Sequence, residues 1–267
     1  MCQFCKSIKW IGTILADSRS EKILKLIDNK SLLGLEIGPS YNPIAPKREG
    51  WNIEIVDHLS SEELREKYQA WGVNIELIEP VDYIVGAEGL YAAIGNNDCY
   101  DYIIASHVIE HMPDLIQFLI DCQNLLKING ILSLVVPDKR FCFDAMKPLT
   151  TTGQVLQAHI ERRKRHSPGV IYDAYSLHAN KSGSIVWPGN LDQSDLTFAH
   201  SVMEAKALMD DYVLHDKYVD VHAWQFEYAS FKKLILDIIE MKFIDMKIDF
   251  ESGSDGHEFY FSLRKNS

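Results

Sequence analysis

The chain of 267 residues carries 27 Lys and Arg against 38 Asp and Glu, a formal net charge of −11. With 46% hydrophobic and 24% charged residues it has the composition of an ordinary globular protein, which excludes global disorder. So acidic a balance argues against duplex nucleic acid as the default partner, because no general positive field is available to hold phosphates.

No apolar run approaches the roughly 20 residues that a bilayer span needs. Residues 9–16 (KWIGTILA) come nearest to a targeting segment, but they run straight into charged helical sequence. They are read as the start of an N-terminal helix in a cytoplasmic protein. Five cysteines, odd in number and scattered, argue against a disulfide framework. Cys2 and Cys5 form one CxxC, yet no second pair follows at zinc-finger spacing, so reduced thiols are expected.

Residues 17–29 place Ile23, Leu24, Leu26 and Ile27 on a helical stripe. Residues 31–37 (SLLGLEI) predict a buried strand ended by Gly38-Pro39, and 51–56 (WNIEIV) a second strand ending at Asp57. A helix is expected over 62–71, with strands over 81–85 and 101–105. An amphipathic helix over 115–126 is closed by Asn129-Gly130, and 131–136 (ILSLVV) predicts a fifth strand stopped by Pro137. Nearly continuous apolar strands alternating with helices imply a parallel sheet covered on both faces. After Phe143 the rhythm breaks into helical pieces and turns, where 144–222 hold six of the ten histidines. It returns at 230 with a helix to 239, a strand near 243–250, a turn at 253–256 and a last strand from 258.

Where the first strand opens, residues 35–43 read LEIGPSYNP. Gly38 lets the backbone approach a ligand, and Asp57 ends the next strand nineteen positions later. An acid at that place in a doubly wound fold accepts hydrogen bonds from ribose hydroxyls. The loop lacks the second glycine of a pyrophosphate cradle and spends two positions on proline, which has no N–H to offer. Glu36 repels phosphate and attracts an ammonium group. S-adenosylmethionine has the ammonium and the ribose and no phosphate.

Residues 101–114 (DYIIASHVIEHMPD) complete a pattern that resembles class I S-adenosylmethionine-dependent methyltransferases. The resemblance covers 31–143, through LEIGPSYNP, the Asp57 strand end, the SHVIEH run and LLKINGILSLVVPD, and it resumes weakly at the terminal strand pair. The GPSxNP loop, VPDKR at 136–140 and VHAW at 221–224 resemble a subgroup found with polysaccharide (capsule or O-antigen) biosynthesis. The resemblance implies a doubly wound, Rossmann-like α/β sheet of seven strands, the last antiparallel, with a mostly helical insertion over the active site. Its divisions are an N-terminal helical segment (1–30), a cofactor core (31–143), an acceptor insertion (144–229) and a closing helix with its strand pair (230–267). It also implies that Glu36, Gly38, Pro39, Ser40 and Asn42 surround the methionine part of the cofactor, and that Asp57 holds the ribose beside His58 and Leu59. Ala87 and Glu88 fall where the family meets the adenine edge, though without the usual acid-first order. Ser106 and His107 would touch the methionine end, with His111 facing the methyl group; the alternative for His111 is hydrogen bonding at a helix start.

A hydroxyl acceptor needs its proton removed, so a histidine-rich insertion favours an oxygen acceptor. His111, His159 and His178 are the candidate bases, His159 on an expected helix over 154–165 and His178 in a polar loop; for each one a structural role competes. Asp138 and Arg140 follow the fifth strand at the edge where ligands sit. Two or three histidines with Asp138 or Asp144 could instead hold a divalent metal. Residues 138–166 carry seven Lys and Arg against three acids, a local reversal of sign suited to a phosphorylated sugar. The expected reaction is O-methylation of a sugar hydroxyl, on a nucleotide-activated sugar or surface glycan, by a cytoplasmic enzyme for which a homodimer is allowed. A non-sugar acceptor, a nicotinamide-dependent oxidoreductase and a catalytically silent cofactor-binding module are the alternatives.

Overall fold

Strand β1 (Gly34–Ile37) is buried along its whole length because both faces of its sheet are covered. In the computed structural model the described residues are 19–86, 88–189, 195–215 and 218–266. The KWIGTILA segment, Cys2, Cys5 and Ala87 lie outside them; the described cysteines Cys99, Cys122 and Cys142 are free thiols. Among the described residues no helix is long and apolar enough to cross a membrane.

After β1 come β2 (Ile53–Asp57), β3 (Tyr83–Ile84), β4 (Tyr100–Ser106), β5 (Leu126–Pro137), a small pair β6 (Ala179–Lys181) and β7 (Leu196–Phe198), then β8 (Met246–Asp255) and β9 (Glu258–Lys265). Seven of them form one sheet in the order β3-β2-β1-β4-β5-β9-β8. β1 lies parallel between β2 and β4, while β9 runs antiparallel to both β5 and β8. This is the expected doubly wound, Rossmann-like sheet with its last strand antiparallel. Strand order reverses at β1 and β4, so a crevice opens at their carboxyl ends, beside Gly38 and His107.

Helices α1 (19–23), α2 (Ser61–Gln69), α3 (Leu90–Ile94), α4 (Leu115–Leu125), α5 (Thr152–Ile160), α6 (Pro168–Ser176), α7 (Val202–His215) and α8 (Tyr228–Glu240) complete the described fold. Side chains alternate across the sheet. Leu35, Ile103, Ala105, Leu134 and Phe261 join the core under α4 and α8, and Tyr102, Ile104, Val135 and Tyr260 face Ile23 and Ile27. On α8 the buried Phe231, Leu234, Ile235 and Ile238 trace one helical stripe. Gly34 is fixed by packing, since a Cβ there would stand 2.1 Å from the Tyr102 ring.

Two expectations change, both at helix ends. The long helix stops at Leu125 and β5 begins at once, so Asn129, at φ 65°, and Gly130 lie inside the strand beside its register shift rather than at the helix end. The helix expected over 154–165 stops at Ile160, and Arg162 turns to φ 52°. The insertion contains a strand pair, β6 and β7, as well as helices. Its first helix, α5, sinks Val155 and Ala158 into the main core, while Ile171, Ala174, Tyr212 and Val221 form a small core of their own.

Candidate active site

The loop after β1 turns because Gly38 sits at φ 61° and Ser40 at φ 48°, with the Asn42 N–H closing on the Pro39 carbonyl at 2.9 Å. Glu36 lies beneath it, 2% exposed, and accepts from the backbone N–H groups of Ile44 (2.7 Å) and Ala45 (3.2 Å). Its carboxylate therefore folds the loop. Burial pushes its pKa up to about 7, against the lowering pull of those two N–H groups and of Arg19. A carboxyl raised in the folded state stabilises fully below about pH 4.5 and loses that contribution as pH rises to about 7, because the native protein holds a proton that the unfolded chain has released. Between pH 5 and 7 the wild type is accordingly expected to lose on the order of 1–2 kcal/mol relative to Glu36→Gln, measured by urea unfolding. Parallel pH profiles would contradict this.

Asp57, at the carboxyl end of β2, is 2% exposed. Its Oδ1 accepts from the His58 backbone N–H and lies 2.6 Å from His58 Nδ1, but its buried Oδ2 has no hydrogen-bond partner among the described residues. A buried carboxylate oxygen left unpaired is costly, and it marks where a ligand's donor belongs. His58 reaches on to Lys67, and Leu59 packs beside Leu64 and Tyr68. Glu88, at the expected adenine edge, has an exposed carboxylate paired with Lys164 at 2.6 Å.

At the end of β4, Ser106 Oγ accepts from Arg19 Nη2 (2.9 Å). His107, at φ 55°, sets its Nε2 2.8 Å from Glu258. Glu258 also takes Arg19 at 2.6 Å and the Tyr260 hydroxyl at 2.6 Å, and these partners overcome its burial to hold it far below the usual carboxylate range. Thus β9 and α1 both brace the loop that carries Ser106 and His107.

One turn further on, Glu110 is fully buried and neither carboxylate oxygen accepts a hydrogen bond among the described residues. Around its Oε1 stand His107 Nδ1 at 3.6 Å, His111 Nε2 at 3.8 Å and His222 Nε2 at 3.9 Å. The rings of His111 and His222 meet edge to face with centroids 4.6 Å apart. Each ring is held from behind: Asp220 lies 2.8 Å from His111 Nδ1, and Asp144 2.5 Å from His222 Nδ1. Burial alone would lower the His111 pKa, but the Asp220 and Glu110 carboxylates outweigh it and raise it. Burial would likewise raise Asp144, yet His222 and Lys147 bring it down to about 2. The Lys147 ammonium, 3% exposed, pairs with Asp144 at 2.7 Å. Lys147 and His222 also line a cavity of about 440 Å³ with Thr150, Gln154, Gln157 and Trp224.

His178 stacks on Phe143 at 4.7 Å, and burial and then Lys147 lower its pKa. His159 stands elsewhere. Its Nδ1 is 3.0 Å from Asp114, which caps α4, and its ring meets the edge of Phe243. Asp138 is fully buried and saturated by Arg140 and Ser254, so Arg140 spends its fork on a neighbour two residues away. The basic run disperses: Arg163 pairs with Glu161, Lys164 with Glu88, and Arg165 stacks over Tyr212 at 4.2 Å. The expected cationic patch is therefore largely neutralised within the fold, because the helix that would have presented it ends early. Glu110, Asp220, Glu258 and Arg19 carry no sign of these roles in the sequence itself. Glu110 lies inside the SHVIEH run and Asp220 two residues before His222, but only folding shows which histidines they face.

No protein-family profile matches the chain, and no curated protein matches it. Solved structures do. An S-adenosylmethionine-dependent methyltransferase from Mesorhizobium loti is 11% identical, with 94% of this chain and 100% of that one covered, at a TM-score of 0.47. The 1,6-didemethyltoxoflavin-N1-methyltransferase of Burkholderia thailandensis, solved with S-adenosylhomocysteine, is 13% identical over 94% of this chain and 79% of that one, at 0.46. A Rhodobacter sphaeroides structure named for zinc-dependent alcohol dehydrogenases is 11% identical over 94% of this chain and 90% of that one, at 0.49. These likenesses concern the arrangement of strands and helices. Activity rests on the side chains above.

Proposed function

We propose that the protein is an S-adenosylmethionine-dependent methyltransferase that modifies a hydroxyl of a sugar, free, nucleotide-activated or within a glycan. The observation that carries the cofactor is Asp57 Oδ2, buried and without a partner among the described residues, at the strand end where a ribose would offer two hydroxyl donors. The loop at Gly38 fits the same group, with two prolines where a pyrophosphate would want N–H donors. When bound, the cofactor supplies a methyl group on a positively charged sulfur. The protein's task is then alignment and proton removal, of which orientation alone supplies up to about 7–11 kcal/mol in ideal systems.

Glu36 holds the loop in shape, and Arg19 with Glu258 fixes Ser106 and His107 at the methionine end. His111 and His222 keep Nε2 free to accept a proton, since Asp220 and Asp144 occupy the opposite nitrogens. The cavity beside His222 offers hydroxyl and amide groups from Thr150, Gln154 and Gln157, a lining that suits a polyhydroxylated acceptor. Arg163 on that wall is the cation a sugar phosphate would meet. The early ties of Asp138, Arg140 and His159 leave them as supports for the fold. Calorimetry should show S-adenosylhomocysteine binding and NAD not binding; the reverse would make the protein an oxidoreductase. Mass spectrometry of candidate sugars, sugar nucleotides and glycans should then show the gain of one methyl group. Methylation of amines or quinols with no sugar modified would overturn the acceptor class.

A further inference from the structure

We infer that Glu110, His111 and His222 form a binding site for one divalent transition-metal ion. The Glu110 carboxylate is wholly buried with neither oxygen hydrogen-bonded among the described residues, and the Nε2 atoms of His111 and His222 face it at 3.8 and 3.9 Å. One ligand atom from each of the three lies within 4.8 Å of the others. Ligands on a sphere of about 2.1 Å stand roughly 3.0–3.5 Å apart, so rotamer shifts of under about one ångström close the set.

The surroundings support an ion rather than a plain charge cluster. A histidine that ligates through Nε2 ordinarily gives Nδ1 to a carboxylate, which fixes the tautomer and the ring direction. His222 has that support as a hydrogen bond with Asp144 at 2.5 Å, and Asp220 stands 2.8 Å from His111 Nδ1 as its ion-pair partner; the two carboxylates come from separate parts of the chain. Asp144 is itself anchored by Lys147. Two imidazoles and one carboxylate suit zinc, iron(II), cobalt(II) or manganese(II); magnesium and calcium prefer all-oxygen sets. His107 Nδ1, 3.6 Å from Glu110, stands where a fourth ligand could enter. A second cluster, His107, His257 and Glu258, is a poorer site because Arg19 and Tyr260 already occupy the Glu258 oxygens.

His222 also lines the cavity, so an acceptor hydroxyl there could meet the ion, which when bound would take over from the two Nε2 atoms the task of acidifying that hydroxyl. The ion itself is independent of the methyltransferase reading, and the test reads metal rather than methyl transfer. The full chain, with Cys2 and Cys5 changed to serine to remove thiol ligands, is stripped with chelator and titrated with cobalt(II). Visible absorption and equilibrium dialysis should report one tightly bound ion that excess magnesium does not displace. Glu110→Gln and His222→Ala should lose it, Asp220→Asn should weaken it about 10–100-fold, and His257→Ala should leave it unchanged. Melting curves of the metal-free variants separate lost ligands from lost folding, and Asp220→Asn keeps the test open if Glu110→Gln unfolds. Failure to bind cobalt(II) at one per chain, equal affinity in folded Glu110→Gln, or equal loss in His257→Ala would overturn the assignment.

Discussion

Lys147→Ala should lower the free energy of unfolding by about 3–5 kcal/mol, the range found when one member of a buried ion pair is removed. Lys147 and Asp144 are 3% and 1% exposed, 2.7 Å apart, and joined also by a backbone hydrogen bond. Without the ammonium, Asp144 stays buried with His222 and the weakly donating Cys142 thiol as its side-chain partners, and ionised carboxylates are expensive away from water. For a chain of this size the loss corresponds to a melting point lower by about 10 °C. Lys147→Met, which keeps the aliphatic stem, should lose a similar amount, since the cost lies in the stranded acid. The double replacement Lys147→Met with Asp144→Leu should recover part of it. A change below about 1 kcal/mol in Lys147→Ala, measured by urea unfolding, would show that His222 alone neutralises Asp144.

Asp57→Ala should weaken S-adenosylhomocysteine by about 10–100-fold, which is about 1.5–3 kcal/mol for hydrogen bonds made to a charged group. The same change should move the stability of the cofactor-free protein by no more than about 1 kcal/mol. Two effects oppose there: the His58 contacts to Oδ1 are lost, and an unpaired buried oxygen is removed. This split between binding and stability distinguishes a ribose acceptor from a structural acid. Unaltered affinity in calorimetry would remove the chief support for the cofactor reading.

The sheet was legible because its strands are long apolar runs punctuated by Gly, Pro and Asp, and periodicity reports such burial directly. The boundaries that moved did so for local reasons. Asn129-Gly130 has the chemistry of a helix stop, but the same chemistry serves an irregular strand start, and pairing with β4 decided between them. At the site, Asp57 could be placed from its position after β2. The partners of the histidines could not, because Asp220 and Asp144 reach His111 and His222 across more than seventy residues of chain or from another element altogether. Charge counting misled over 138–166 for a related reason. A sequence shows how many cations a segment holds, and only the fold shows how many of them it uses on its own acids.

The interior position of β9 bears on how the molecule is made. Between the appearance of β5 and that of β9 lies the whole insertion, and during that interval the β5 edge, with its run ILSLVV, has no partner on the side that β9 later fills. An unpaired apolar edge is a template for pairing with another chain. Because the missing partner is distant in sequence, closure is slow compared with hairpin formation. Yield on refolding should therefore fall with protein concentration more steeply than the native surface would suggest, and the vulnerable species is a half-built sheet rather than the finished protein.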